Sequence, residues 1–390
     1  MLTKAISDIQ HLINFRQTLH QNPELSGNEE YTAEALKRMV IRYQPDDVID
    51  GIGGYGVAFV FKGKQEGPTV MFRADMDALP IVEINNFDYS SRTKGVAHQC
   101  GHDGHMSILV GVADQISKNR PEKGRIVLLF QPSEETGDGA LAVINDYNFK
   151  RIEPDYCFAL HNIPGFKKGS ILLKNGTFSA ASQGLVVKLK GKTSHAAEPE
   201  KGVSPSIALA QIIEQITDLP NKSELFTNFV LTTIVHAILG ERTFGTTPGT
   251  AEIMITLRAF TDEDMTMLIE HSQGIINTIS KEQNLEVRIS NRDIYPLMDN
   301  NPALVAMVND AAKKMSLNVT KLTQPFPWAE DFAHFSQKYK TMMFGIGAGE
   351  DSPKLHNADY DFPDEIINQG IVIFSEIYRH IFELIATNEY

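Results

Sequence analysis

The sequence predicts an α/β protein with a mainly parallel sheet, helices on both faces of that sheet, and an inserted α+β domain. A chain of 390 residues is too long for one ordinary hydrophobic core and suits two domains. Three early runs are apolar on both faces, as are the buried strands of a parallel sheet. A later stretch has the order strand, helix, strand, strand, helix, strand, which is the ferredoxin-like arrangement.

Composition excludes several classes of protein. The hydrophobic fraction of 42% and charged fraction of 22% are those of a globular protein. The net charge of −13 argues against nucleic acid and anionic membranes as partners, because both are bound by clustered Lys and Arg. The two cysteines, Cys100 and Cys157, are too few for a disulfide scaffold and indicate a reducing compartment.

The amino-terminal stretch is predicted to be an amphipathic helix rather than a signal peptide. It lacks an uninterrupted apolar core and a small-residue cleavage site. Its apolar residues fall near one side of a helix: Ile6, Ile9, Leu12, Ile13 and Phe15. No run approaches the roughly 18 apolar residues of a membrane span. We therefore expect a cytoplasmic protein.

Each of the three early strands is followed by polar groups. "TVMFRAD" ends at Asp75, "RIVLLFQPSEE" ends at Glu134 and Glu135, and "DYCFALHN" ends at His161 and Asn162. Ligands of an open α/β sheet bind beyond the carboxyl ends of its strands, which predicts a site here. The alternative is that Asp and Glu only cap the following helices, such as the one predicted over "HMSILVGVADQISK".

The ferredoxin-like order is predicted over residues 184–294. This inserted domain separates the two parts of the catalytic domain, residues 1–183 and 295–390. After it, "KTMMFGIGAG" is a buried strand, and a long helix is predicted to start at Pro363. His356 lies between them, so it follows a strand of the main sheet and could share one edge with His161 and Glu135.

The segment "HQCGHDGH", residues 98–105, concentrates donors for a metal ion. Cys100 and His102 are one residue apart, so both can turn toward one point; their thiolate and imidazole suit zinc, with manganese, cobalt or nickel as alternatives. A structural zinc site would need a second close pair of Cys or His, which this chain lacks. The remaining donors, Glu135, His161 and His356, follow distant strands, which is typical of a catalytic site.

Five donors exceed one tetrahedral set. They fit two divalent metal ions about 3.5–4 Å apart, bridged by one ligand and a water. We predict that Cys100 is the shared ligand, because its sulfur can bridge. Glu134 would then remain beside the ions to transfer protons.

Seven motifs resemble, in order and spacing, the amidohydrolase branch of the dinuclear zinc metallopeptidase family, which includes hippurate hydrolase and N-acyl-amino-acid hydrolases. They are "FRADMDALPI", "HQCGHDGH", "FQPSEE", "ALHN", "GKTSHAAEP", "WAEDF" and "HNADYDF". The resemblance covers nearly the whole chain. It implies a metal-dependent amidohydrolase that cleaves the amide bond of a small N-acyl amino acid, with a lid domain through which a homodimer can form.

The resemblance also implies individual roles. The metal ligands are Cys100, His102, Glu135, His161 and His356. Glu134 is the general base, Asp77, or else Asp75, is the acid that orients a ligand side chain, and His195 on the lid stabilises the tetrahedral intermediate from its own or a partner subunit. Gln99 stands where the family more commonly has alanine, and it is expected to alter the wall of the site while leaving the ligands intact.

Several alternatives stay open. A carboxypeptidase or dipeptidase could use the same site, a thiol enzyme could use Cys100 with His102 as base, and a binding protein could keep the fold without catalysis. Asp103 is interpreted as a partner of a ligand histidine and His105 as a helix cap. Glu330 and Asp331 either line the substrate site or cap a helix. Cys157 is expected to be core packing, and His20 is expected to be structural.

Overall fold

The computed structural model describes residues 9–386, so the prediction for Ile6 lies outside the described residues. In chain order the helices are α1 (Gln10–Gln21), α2 (Glu30–Val40), α3 (His102–Lys118), α4 (Gly139–Asn145), α5 (Ser206–Asp218), α6 (Asp262–Glu282), α7 (Pro302–Lys314), α8 (Ala333–Ser336) and α9 (Ile367–Ala386). The strands are β1 (Asp47–Ile52), β2 (Gly56–Lys62), β3 (Gln65–Asp75), β4 (Lys123–Gln131), β5 (Tyr156–Pro164), β6 (Ile171–Leu173), β7 (Gly176–Ser179), β8 (Ala181–Lys190), β9 (Val230–Leu239), β10 (Thr250–Ala259), β11 (Glu286–Tyr295), β12 (Met298–Asn300), β13 (Val319–Lys321) and β14 (Lys340–Gly349).

These elements form two compact units. The first comprises residues 9–178, Met298–Gln324 and 331–386, and the second comprises Ser179–Leu297 and Pro325–Glu330. The inserted domain proposed over residues 184–294 falls within the longer segment of the second unit. Within residues 9–386, every helix is too short or too polar to span a lipid bilayer.

The first unit contains an eight-stranded sheet in the order β1-β2-β4-β3-β5-β14-β6-β13. Its central strands β4, β3, β5 and β14 are mutually parallel. The pairs β1·β2, β2·β4 and β6·β14 are antiparallel, and they lie toward the margins of the sheet. The predicted α/β class with a mainly parallel central sheet is confirmed, and the antiparallel margin is an addition that the sequence analysis did not include.

Aromatic packing joins this sheet to the carboxyl-terminal helix. The Phe72 ring of β3 lies 5.6 Å from that of Phe158 in β5 and 4.9 Å from that of Phe374 in α9. All three side chains are buried. Helix α9 begins at Ile367, after a single 3₁₀ turn over Asp364–Ile366, so the α-helix starts four residues later than the predicted start at Pro363. This packing holds the strands, and therefore the loops at their carboxyl ends, in fixed positions.

The second unit contains a four-stranded antiparallel sheet in the order β11-β8-β10-β9, with α5 and α6 between its strands in sequence. This is the predicted ferredoxin-like order. Alternate residues of β10, from Ala251 to Ala259, are buried, as expected for a sheet with one covered face. Helix α6 is capped by Thr261, whose side chain accepts a hydrogen bond from the Asp264 amide.

Candidate metal centre

Polar side chains from three neighbouring strands meet at one end of the large sheet. Strand β3 ends at Asp75, β4 ends four residues before Glu135, and β5 carries His161. The three strands run parallel and are adjacent in the order β4-β3-β5. Their carboxyl ends therefore lie together, as the sequence analysis assumed.

Cys100 and His102 reach this end of the sheet because Gly101 separates them. Gly101 has a φ of +94°, a backbone conformation that favours glycine. A Cβ atom there would also come within 2.7–2.9 Å of the Asn162 side-chain amide. The glycine thus allows a sharp turn into α3 and close packing against β5, and both donors enter the same cluster.

The five predicted ligands form two overlapping groups of donor atoms. The atoms of Cys100, His102 and His161 lie within 4.8 Å of one another, and those of Cys100, Glu135 and His356 do so as well. The Cys100 sulfur lies 3.5 Å from His161 Nε2. Glu135 Oε1 lies 3.8 Å from His102 Nε2 and 3.6 Å from His356 Nε2. Cys100 belongs to both groups, which is the position that a bridging ligand requires.

Two of these donor atoms are buried without a hydrogen-bond partner among residues 9–386. They are His102 Nε2 and Glu135 Oε1, which face each other. Burying polar atoms without a partner is costly, and native structures avoid it. A metal ion between a neutral imidazole and a carboxylate would satisfy both atoms. The donor set of sulfur, nitrogen and oxygen therefore fits a divalent cation.

The charges at this centre are strongly coupled. Burial lowers the pKa of His102, but Asp75 and Asp77 outweigh burial and raise that pKa to about 10. Burial raises the pKa of Glu135 to about 7, and it depresses the pKa of His161. Protons on His102 and Glu135 thus balance the buried negative charge. A bound cation takes over this role and releases the protons.

Asp77 and Asp75 hold different histidines. The backbone carbonyl of Asp77 accepts a hydrogen bond from His102 Nδ1 at 2.9 Å, and its carboxylate Oδ1 lies 3.4 Å from the same nitrogen. That arrangement keeps the proton on Nδ1, so that Nε2 is the nitrogen that binds a metal ion once its own proton is released. Asp75 contacts His105 Nδ1 at 2.6 Å and Arg73 at 2.7 Å, and its Oδ2 lies 3.7 Å from His102 Nε2.

Glu134 is buried close to these donors. One of its carboxylate oxygens lies within 4.8 Å of donor atoms of His102 and Glu135. Its Oε1 accepts a long hydrogen bond, 3.3 Å, from the backbone amide of Asp331. The Asp331 carboxylate accepts hydrogen bonds from Arg73 at 2.8 Å and from the Ala140 amide at 2.7 Å. Asp331 therefore connects the strand β3 side of the centre to Glu134.

Other predicted residues occupy different surroundings. The Asp103 carboxylate contacts Arg16 and His20, at 3.2 and 2.9 Å, and neither is a predicted ligand. The interpretation of His105 as a helix cap is wrong, because α3 begins at His102 and His105 lies within its first turn, with its ring buried between Asp75 and Asn162. Cys157 is buried in β5, where the sequence predicts core packing. His195 and Glu330 belong to the second unit, and His195 is exposed there, with its Nδ1 accepting a hydrogen bond from the Ala197 amide at 3.0 Å.

Two residues that shape the centre were given no individual role in the sequence-based prediction. The Asn162 side chain donates to the Cys100 carbonyl at 3.0 Å and also contacts His105 and Tyr360. Ser26 donates to the Asp77 carboxylate at 2.7 Å. Asn162 directly follows His161 and could have been singled out by that position, whereas Ser26 carries no sequence signal.

The model of the Peptidase family M20/M25/M40 matches residues 71–380, which is most of the chain. The chain belongs to this family. The family predicted from the seven motifs is therefore confirmed, and so is the prediction of a metal-dependent amidohydrolase.

Members of this family with known names cover nearly the whole chain. An N-acetyl-L-cysteine deacetylase of Bacillus subtilis (strain 168) is 33% identical over 388 residues, covering 97% of this chain and 89% of that protein. A hippurate hydrolase of Campylobacter jejuni is 29% identical over 379 residues, covering 96% of this chain and 98% of the relative. Both names describe hydrolysis of a small N-acyl amino acid, the predicted activity class.

A solved structure in the family has the same fold. The Bacillus subtilis YXEP protein, described as a dinuclear metal binding peptidase, superimposes with a TM-score of 0.81 at 25% identity. The match covers 96% of this chain and 98% of that one.

Proposed function

We propose that this protein hydrolyses the amide bond of small N-acyl amino acids with two divalent metal ions held by Cys100, His102, Glu135, His161 and His356. The observation that carries the proposal is the pair of overlapping donor groups that share Cys100. The dinuclear centre named for the YXEP protein supports the same number of ions. Zinc is the ion we propose first, because a thiolate and imidazoles are ligands it prefers.

The residues of the chain divide the chemistry between them. When bound, the ions supply Lewis acidity that activates water and polarises the amide carbonyl. Glu134 takes a proton from the attacking water and returns it to the leaving nitrogen, since its carboxylate lies beside the donors but outside the ligand set. Asp77 orients His102 and keeps its Nδ1 protonated. The Asp75 carboxylate contacts His105, which is not a proposed ligand. We therefore assign Asp77 as the acid that orients the ligand His102.

We further propose a homodimer formed through the second unit, with His195 stabilising the oxyanion in its own or a partner's site. Strand β9 lies at the margin of the four-stranded sheet, and several of its apolar side chains are exposed: Leu231, Val235, Ile238 and Leu239. An exposed apolar edge strand is a surface that another chain can cover. The exposed edge strand is an observation separate from the metal centre. We also propose that the protein is located in the cytoplasm.

The activity is tested with a panel of substrates. Protein reconstituted with zinc or manganese is incubated with N-acetyl, N-benzoyl and indoleacetyl amino acids and with dipeptides, and amine release is measured. We expect at least one N-acyl amino acid to be cleaved faster than every dipeptide. Faster cleavage of dipeptides would favour the carboxypeptidase or dipeptidase alternative instead.

A chelator distinguishes the thiol alternative. Removal of metal should abolish amine release, and added zinc or manganese should restore it. Full activity after chelation would contradict the metal mechanism and favour Cys100 as a nucleophile, for which the structure offers His161 at 3.5 Å as the neighbouring base.

A further inference from the structure

The loop that carries His356 differs from the segments that carry the other four proposed ligands. Between the end of β14 at Gly349 and the 3₁₀ turn at Asp364, the backbone forms turns but no helix or strand. The His356 side chain is 51% exposed. The Glu135 side chain, which faces it, is only 12% exposed. His356 also has a φ of +66°, in the left-handed region. Such a loop needs contacts from elsewhere to fix the imidazole.

Gln99 supplies two such contacts. Its backbone carbonyl accepts a hydrogen bond from the His356 amide at 2.8 Å. Its side-chain Nε2 donates to the Ala358 carbonyl, also at 2.8 Å. The two bonds hold the loop on both sides of Asn357, and Ala358 is held a second time by the Ile84 amide at 3.0 Å. Gln99 thus fixes the backbone that carries the His356 ring.

Burying the side-chain amide of Gln99 at this position costs free energy. The residue is fully buried, and its Oε1 has no hydrogen-bond partner among residues 9–386. A buried amide with one unsatisfied atom contributes little net stability, because the lost hydration of that atom opposes the bond made by the other. An apolar side chain would avoid this cost. The useful consequence of the amide is therefore the position of the loop.

We propose that Gln99 is a positioning residue, which through its bond to Ala358 holds His356 where it shares one ion with Cys100 and Glu135. The inference deepens the proposed function and rests on it. Gln99 directly precedes Cys100. One short segment therefore carries Cys100 and also positions His356, and both belong to the same donor group. The other group, Cys100 with His102 and His161, has no member on the His356 loop. Loss of the amide should loosen one ion and leave the second unaffected.

The matched variants are Gln99→Met and Gln21→Met. Methionine keeps the length of the side chain and removes the donor. Gln21 Nε2 makes the same kind of bond, to the Asp88 carbonyl at 2.9 Å, in a loop outside the proposed ligand set. The comparison therefore separates the effect of losing any such bond from the effect on His356.

Metal binding is the first measurement. Zinc content of the loaded full-length protein is followed while a competing chelator is titrated. For Gln99→Met we expect one of two zinc ions to be lost at about 5–10-fold lower chelator concentration, the change expected from one hydrogen bond of about 1 kcal/mol, with the other ion unshifted. Identical release of both ions in Gln99→Met and the parent would overturn the proposal, as would the same split in Gln21→Met.

Hydrogen exchange of the segment 354–360 is the second measurement, made on metal-free protein. Gln99→Met should exchange about 5-fold faster there, with α1 and β5 unchanged. Unchanged exchange in 354–360 would overturn the proposal even if the parent binds two ions. Failure of the proposed function would instead appear in the parent, as absence of bound zinc or of amide hydrolysis. If Gln99→Met does not fold, Gln99→Ala is measured in the same two ways.

Discussion

A cluster of ionisable side chains in the first unit and an ion pair in the second lie in opposite environments. In the first unit, Asp75 and His102 are buried with no exposed surface, among other charged groups at the end of the sheet. In the second unit, the facing pair Lys188 and Glu252, 3.2 Å apart, lies on an exposed part of the sheet. Burying charges is costly, and it persists where function uses them, whereas exposed pairs contribute little. The difference supports the proposal that the metal centre lies in the first unit.

The largest effect should come from Glu134→Gln. The substitution keeps the size of the side chain and removes the proton acceptor, so we expect kcat to fall by about 10²–10⁴-fold. Zinc content should stay at the parent value, because Glu134 lies outside the proposed ligand set. Turnover and metal content are measured on the same sample. A variant with full turnover would show that another group transfers the proton.

Asp77→Asn should have the next largest effect. The backbone carbonyl of Asp77 still accepts the hydrogen bond from His102, so loss of the carboxylate charge 3.4 Å from His102 Nδ1 should weaken metal binding by about 10-fold, the lower end of the range for partners of metal ligands. Asp75→Asn is the comparison variant, since the Asp75 carboxylate contacts His105 and Arg73 and lies 3.7 Å from Nε2 of His102, the nitrogen opposite the one that Asp77 faces. Equal weakening in both variants, measured by competition with a chelator, would show that the two acids share the role.

His20 offers a pH test of a buried group, His20 with Asp103 and Glu83, that includes no proposed ligand. Burial lowers the pKa of His20, but the hydrogen bonds that its ring donates to Asp103 and Glu83 outweigh burial and raise this pKa to about 9. The raised pKa means that the charged form stabilises the fold below pH about 6.5, the pKa of a free histidine, and that this contribution is lost as the pH rises through about 9. The free energy of unfolding of the parent should therefore fall over this range relative to His20→Gln. Parallel pH curves would contradict the pairing.

The smallest effect is expected in the second unit. Lys188→Ala removes an ion pair whose lysine side chain is 65% exposed. Surface pairs contribute about 0–1 kcal/mol, so the melting temperature should change by no more than a few degrees. Metal content and kcat should match those of the parent. A loss of metal in this variant would contradict the view that exposed ion pairs of the second unit do not affect the metal centre.

The features that sequence could predict are those with local signals. Buried parallel strands are visible as apolar runs, and Asp75, Glu135 and His161 stand at or near their ends. Gly101 between two donors could be recognised as a turn. The same periodicity predicted the α/β class and the ferredoxin-like order of β8, α5, β9, β10, α6 and β11, which the structure contains.

What sequence could not predict depends on contacts between distant segments. Gln99 and Ala358 are 259 positions apart, and Arg73 and Asp331 are 258 apart. Asp103 was expected beside a ligand histidine, yet it contacts Arg16 and His20, because α1 packs against α3 at that point. The margin strands β1 and β2 were not predicted either, since "DVIDGI" is half polar and a half-buried strand gives a weak signal.

The central claim is that five side chains far apart in sequence hold two divalent ions at one end of the sheet. An anomalous difference map from crystals grown with manganese tests it directly. Two peaks should appear, one bounded by Cys100, His102 and His161 and the other by Cys100, Glu135 and His356. Peaks elsewhere, or no peak among these side chains, would contradict the account.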